Sequence, residues 1–443
     1  MNRLWGRAGH AVGVALLAVL ALTATAPSAA SPALAHRETL PNGIVLLVAE
    51  RPAVPIVAVR VLHRAGAIFD PPDRSGLANL TGSLLTRGAG PRTGREIDTA
   101  IEFVGGRLEA GAGRDGLTVS LAVLARDLGL GLDLLADVIL RPAFPEDEVK
   151  RKTAEIQAAI QRSEENPEAV AARALARLVF PGHPYAVPVE GTRESVGRLG
   201  RDDVVKFWKG YVRPDTTVVA VVGAVSIAQA RREILARFGA WPRPGGAAPT
   251  PPSPAVGMTA GSETIKRELT QATILLGRHA VNQRHPDYYP LSVASYILGG
   301  GSASRLYGRV RDEGGLAYSV FAFLAPGKYG ASVRVTAQTR NQEVPKVNQI
   351  LDEELARLGR EPVGERELEL AKSYLIGSFP LRLDTSAKVA DFIVGVEHLG
   401  VGLDYADRYR ERIDRVTAAD VQRVAVRYLA PADFNRVVVG QSP

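Results

Sequence analysis

Apolar and polar positions follow two rhythms along this chain. Ile56–Leu62 is a β-branched run, and Leu117–Val123 is another behind the glycine-rich turn Gly111–Gly116; both predict strands. Leu40-Pro-Asn-Gly-Ile-Val-Leu-Leu-Val carries an Asn-Gly hairpin signal ahead of them. Helices are predicted over about 127–139, 146–165, 167–179 and 202–211. Strand, strand, helix, strand, long helices, strand is the order of an α+β fold, a mostly antiparallel sheet packed against helices.

The pattern runs twice. In Asp203–Gly223 and again in Ala419–Gly440 a helical stretch ends near a tyrosine, Tyr211 or Tyr428. A proline turn follows at Pro214 or Pro431, then a Val-rich strand reaching Gly223 or Gly440. Phe144-Pro-Glu-Asp-Glu-Val is echoed by Val363-Gly-Glu-Arg-Glu-Leu; both open an amphipathic helix with acidic residues where its dipole favours them. Two echoes in the same order predict a duplication. Between the copies, Trp241–Pro254 is too rich in proline and glycine for helix or sheet. The expected division is a leader over 1–35, a first domain over 36–240, a linker over 241–256 and a second domain over 257–443.

The leader is read from MNRLWGR, a basic start, the uncharged apolar run Ala11–Ala26, and the small-residue site Pro32-Ala33-Leu34-Ala35. The run is shorter than the roughly 20 residues a bilayer span needs. Cleavage is expected after Ala35, with Ala30 as the second choice, and no membrane span is expected afterwards. The chain has no cysteine, so structural disulfides and a lipidated cysteine are both excluded. Export without disulfides points to a bacterial periplasm or exterior. The formal charge is +7, but no basic run with interleaved aromatics appears, so nucleic-acid binding has no support.

Residues 299–320 read GGGSASRLYGRVRDEGGLAYSV. Ser302 or Ser304 is placed to cap a helix reaching about Glu313, which Gly314 and Gly315 end. A strand is expected from Leu316, with Tyr318 and Val320 on one face. GGGSAS is no phosphate loop: it lacks the Lys-Ser/Thr pair and follows an apparent helix, Tyr288–Leu298, where a nucleotide fingerprint needs a strand. The segment resembles the second-domain signature of the insulinase or pitrilysin-like zinc peptidases, a family that includes mitochondrial processing peptidase. The resemblance implies that Arg311 and Tyr318 reach the zinc site and steady the bound peptide. Amide hydrolysis puts negative charge on the carbonyl oxygen, and a fixed guanidinium and a phenol aimed there would stabilise it.

In that family the first domain holds zinc through an H-x-x-E-H helix. The resemblance sets this helix on residues 76–88, GLANLTGSLLTRG, so the two histidine positions fall on Asn79 and Ser83 and the glutamate on Gly82. The third ligand position falls on Ala159, or on Ala158 after a slip of one. Phe180–Tyr185 also resembles family sequence, with His183 read as a turn residue. His36, His63, His183, His279, His285 and His398 include no pair spaced to face one another across a helix turn. Small residues at 79, 82 and 83 also suit close packing. The resemblance therefore implies a chain that binds no zinc itself. It would contribute Arg311 and Tyr318 to a homologous H-x-x-E-H subunit that carries the zinc, around a peptide added as a strand. The alternative is a structural or peptide-binding scaffold related to the core subunits of the respiratory cytochrome complex.

Overall fold

The computed structural model describes residues 34–252 and 260–441. The expected leader lies outside the described residues up to position 33, and part of the expected linker lies outside at 253–259. The described residues form one compact unit.

The first half builds a sheet from β1 (His36–Thr39), β2 (Val45–Glu50), β3 (Ile56–His63), β6 (Arg107–Ala112), β7 (Leu117–Leu124) and β8 (Thr217–Gly223). A two-stranded ribbon, β4 (Gly88–Ala89) and β5 (Arg92–Thr93), stands apart. The sheet order is β1-β2-β8-β3-β7-β6, antiparallel except where β2 meets β8. Its helices are α1 (Leu77–Leu84), α2 (Gly94–Phe103), α3 (Leu128–Leu140), α4 (Glu146–Glu165), α5 (Pro167–Val179), α6 (Arg193–Gly197), α7 (Arg201–Tyr211) and α8 (Ile227–Phe238). The alternation of β7 is decisive: Leu117, Val119, Leu121 and Val123 are buried, and the residues between them are not. The predicted hairpin is real, but its loop is Leu40–Ile44, closed by Leu40 N–H on Ile44 O at 2.8 Å. Gly43 there has φ +96, which favours glycine.

The second half repeats the plan with β9 (Ser262–Lys266), β10 (Gln271–Ala280), β11 (Ala317–Ala325), β12 (Ala331–Arg340) and β13 (Asn435–Gly440), in the order β11-β12-β10-β13-β9. Here too a single pair, β13 with β9, is parallel. The helices are α9 (Tyr288–Gly299), α10 (Val344–Arg360), α11 (Glu365–Ser378), α12 (Ser386–Leu399), α13 (Tyr405–Asp414) and α14 (Ala418–Tyr428). The sequence echo is structural: α7, a proline 3-10 turn and β8 correspond to α14, a proline 3-10 turn and β13. Each half buries its own core between its sheet and its helices.

The second face of each sheet is covered from across the molecule. Val389, Ala390, Ile393 and Val394 of α12 pack on Leu47, Ala58, Ala220 and Val222 of the first sheet. Ala171, Ala174, Leu175 and Val179 of α5 pack on Leu275, Val437 and Val439 of the second. Small residues on the receiving strands let the helices lie close: a Cβ at Gly277 would come within 2.9 Å of the Leu175 side chain. Each helix covers the strands near the middle of the sheet it crosses. Thr118 and Ser120 of β7, and Arg334, Thr336 and Gln338 of β12, keep partial exposure.

Candidate functional site

The Arg/Tyr segment begins where α9 ends. Its last residue sits directly on β11, since a Cβ at Gly299 would come 2.3 Å from the Ala322 nitrogen. Ser304 does not cap forward as expected; its hydroxyl donates back to Gly301 O at 2.6 Å. The helix that follows is wide: Tyr307–Glu313 is π-helical, and Leu316 N–H bonds Val310 O at 2.9 Å as it closes. Gly315, at φ +56, turns the chain into β11.

This geometry gathers three side chains. The Arg311 guanidinium carbon lies 4.7 Å from the Tyr307 ring centroid and 4.9 Å from that of Tyr318. An Arg311 N–H also bonds the Tyr307 hydroxyl. Among the described residues no carboxylate stands within ion-pair distance of Arg311, so its charge is not consumed internally. Tyr318 is 82% exposed on an edge strand. The expectation that Tyr318 and Val320 share a face fails. The pairing of β11 with β12 slips between Ala317 and Ser319, so Tyr318 is the extra residue of a bulge, while Val320 is buried. Tyr307 escaped the sequence reading, although its place four residues before Arg311 is a signal a helix reading could have used.

The opposite motif lies on α1. Gly76 enters it at φ +94, and Asp70 holds the entry, accepting from Gly76 N–H at 2.8 Å and Ala78 N–H at 2.9 Å. Burial pushes the Asp70 carboxyl up to about 7, against the lowering effect of those N–H groups. Asp70 too went unread, because a capping carboxylate seven residues ahead of its helix has no short-range pattern. Leu77, Ala78, Leu80 and Leu84 face the core, and Asn79 and Ser83 are partly buried. The Ser83 hydroxyl donates to Leu80 O at 2.9 Å. Gly82 faces β6 so closely that a Cβ would come 2.8 Å from backbone atoms of Gly111 and Ala112. Ala159 is exposed on α4.

These four positions do not suit zinc. They supply no imidazole, thiolate or carboxylate, and at Gly82 the β6 backbone fills the space a side chain would need. Among the described residues no three His, Cys, Asp or Glu side chains group as metal ligands. The histidines have other surroundings. His63 is fully buried, its Nδ1 2.7 Å from Thr217 Oγ1, and burial pulls it down to about 3. His183 is the turn residue expected: its Nδ1 accepts from Tyr185 N–H at 3.2 Å and its Nε2 lies 3.0 Å from Pro252 O.

Residues 45–193 match the family model described as insulinase (peptidase family M16), and residues 198–375 match the one described as peptidase M16 inactive domain. A relative in Mycobacterium leprae (strain TN), named as an uncharacterized zinc protease, is 30% identical over 89% of this chain and 89% of its own length. The chain belongs to the M16 peptidase family. Another M16 relative, an uncharacterized zinc protease of Bacillus subtilis (strain 168), is 26% identical over 92% of this chain and 98% of its own. The crystal structure of a peptidase M16 inactive domain from Pseudomonas fluorescens superposes with a TM-score of 0.87 at 24% identity, covering 92% of this chain and 98% of that one. A chain of Complex III2 from Candida albicans superposes with a TM-score of 0.78 at 18% identity, covering 91% of this chain and 95% of that one.

Proposed function

We propose that this chain is the non-catalytic subunit of a two-chain M16 zinc peptidase. It presents Arg311 and Tyr318 to a peptide held at the zinc of a homologous H-x-x-E-H subunit. The observation that carries the proposal is the state of the Arg311 guanidinium: stacked between two tyrosines, bonded to one of them, and without a carboxylate among the described residues. A cation fixed in place without a counter-charge is preorganised for charge that develops elsewhere. The α1 face points the same way, since its positions offer no zinc donors and Gly82 leaves no room for the glutamate side chain.

In the proposed complex the partner's H-x-x-E-H residues would hold the zinc, which would supply an activated water for attack on the peptide carbonyl. The Tyr318 hydroxyl donates to the oxygen that becomes negative, and Arg311 offsets its charge. The peptide adds as a strand at a free sheet edge, where β11 already presents Tyr318. The same reading makes the chain exported, with a leader removed before it reaches the periplasm or exterior. Ala35 is buried in the cluster that α12 forms with the first sheet, so a cut after Ala30 would preserve its place there and a cut after Ala35 would not.

The test is co-expression with an H-x-x-E-H homologue. The pair is expected to cleave peptide, this chain alone is not, and Arg311→Ala is expected to disable the pair without dissociating it. Turnover by that variant pair at the wild-type rate would defeat the proposal.

A further inference from the structure

A cavity of about 400 Å3 lies against Ala159 and takes its walls from both halves of the chain. Arg114 reaches it from the turn between β6 and β7, Arg173 from α5, and Arg334 from β12. The Arg334 Nε donates to Ser332 Oγ at 3.1 Å; among the described residues its other N–H groups meet no protein acceptor. Arg114 gives one N–H to Tyr185 O at 2.8 Å and stacks on the Tyr185 ring. Neither Arg114 nor Arg334 has a carboxylate within ion-pair distance among the described residues, whereas Arg173 lies 3.9 Å from Glu164. Glu190 is the one acidic residue in the lining.

Burial, and next the charge of Arg114, hold the Arg334 guanidinium below its usual range. Two guanidiniums kept together and partly out of water cost free energy that an entering anion would offset. The rest of the wall includes the methyl groups of Ala169, Ala172 and Ala176, which leaves space for a small planar group.

We propose that this cavity binds a carboxylate of the peptide, held between Arg334 and Arg114. The chain thus favours peptides that carry a free C-terminus or an acidic side chain. The inference rests on the reading of this chain as a holder of peptides and adds a chemical preference to it. The Arg334 fork suits a planar carboxylate with two parallel N–H···O bonds.

The experiment measures binding of fluorescent, N-acetylated Ala/Leu/Ser peptides to the purified chain in three forms: C-terminal amide, free C-terminal carboxylate, and amide with one internal glutamate. Either or both acidic forms are expected to bind at least about tenfold more tightly than the neutral one, and to lose that advantage at high salt. Which acidic form gains identifies the source of the carboxylate. Arg334→Gln is expected to abolish the preference, and an unchanged circular dichroism spectrum and thermal melt show that the variant is folded. Arg334→Lys, which keeps a charge but loses the fork, should retain part of it. Equal affinity for all three forms, or a preference that survives Arg334→Gln, overturns the site and leaves peptide holding intact. Failure of every form to bind the chain overturns the site as well, while the role of Arg311 and Tyr318 beside a zinc subunit is decided separately by cleavage in the co-expressed pair.

Discussion

The Arg311 guanidinium lies 4.9 Å from the Tyr318 ring, and Tyr318 is largely in solvent. Stacking restrains the arginine without neutralising it, so the pair can meet an incoming oxyanion with little reorganisation. Tyr318→Phe keeps the ring and removes the O–H. In the co-expressed complex it is expected to lower kcat roughly 100-fold with little change in KM, read from steady-state cleavage of a fluorogenic peptide. Tyr307→Phe leaves the Tyr318 hydroxyl in place and should cost less.

Gly82 gives a test with a definite sign. In an exposed helix, Gly→Ala stabilises by about 1 kcal/mol. Here the new methyl would come 2.8 Å from the backbone of Gly111 and Ala112, and such overpacking costs about 1–3 kcal/mol. Gly82→Ala is therefore expected to lower Tm; a rise would show that β6 does not press on α1. By the same geometry, the combined substitutions Asn79→His, Gly82→Glu and Ser83→His should not yield a tight zinc site, as measured by zinc titration.

Acid should destabilise the fold early. Burial lowers His63 from 6.5 to about 3, and burial with Lys328 and Arg64 lowers His398 to about 3. Both pKa values are depressed in the folded state, so the unfolded chain binds the protons. Stability conferred by the neutral rings is complete above about pH 6.5 and falls as pH drops toward 3, by up to about 1.4 kcal/mol per unit for each ring. His63→Gln should flatten the dependence of unfolding free energy on pH between 6.5 and 4. An unchanged slope in urea melts would exclude His63 as a source.

Asp115 joins the two halves. It accepts from the Tyr185 hydroxyl and from Lys328 N–H at 3.1 Å, while Gly327 and Gly330 lie against the Tyr185 ring. Asp115→Ala would strand these donors, each costing about 1–3 kcal/mol if it stays buried. Faster hydrogen exchange is expected over 326–330, the segment between β11 and β12. Unchanged exchange there would show that the contact does not hold the halves together.

The proposed leader processing can be checked by N-terminal sequencing of protein recovered from the periplasm or medium. On that proposal, the burial of Ala35 in the cluster that α12 forms with the first sheet favours Ser31 as the first residue over His36.

Much of this protein was legible from local spacing alone. The period-two run of β7, the acidic opening of α4 and the proline turns before β8 and β13 depend on near neighbours in the chain, and the structure keeps them with small shifts at the ends. That Asn79, Gly82 and Ser83 carry no imidazole, thiolate or carboxylate was equally plain, because side-chain chemistry needs no fold to be read. Tertiary structure alone decided which distant groups meet. It sent α5 and α12 across to each other's sheets, laid β6 on Gly82, threw Tyr318 outward on a bulge and set Arg334 beside Arg114. Those outcomes turn on close packing between segments far apart in sequence, where a missing Cβ or a one-residue slip in strand pairing changes the neighbour, and sequence periodicity carries no record of either.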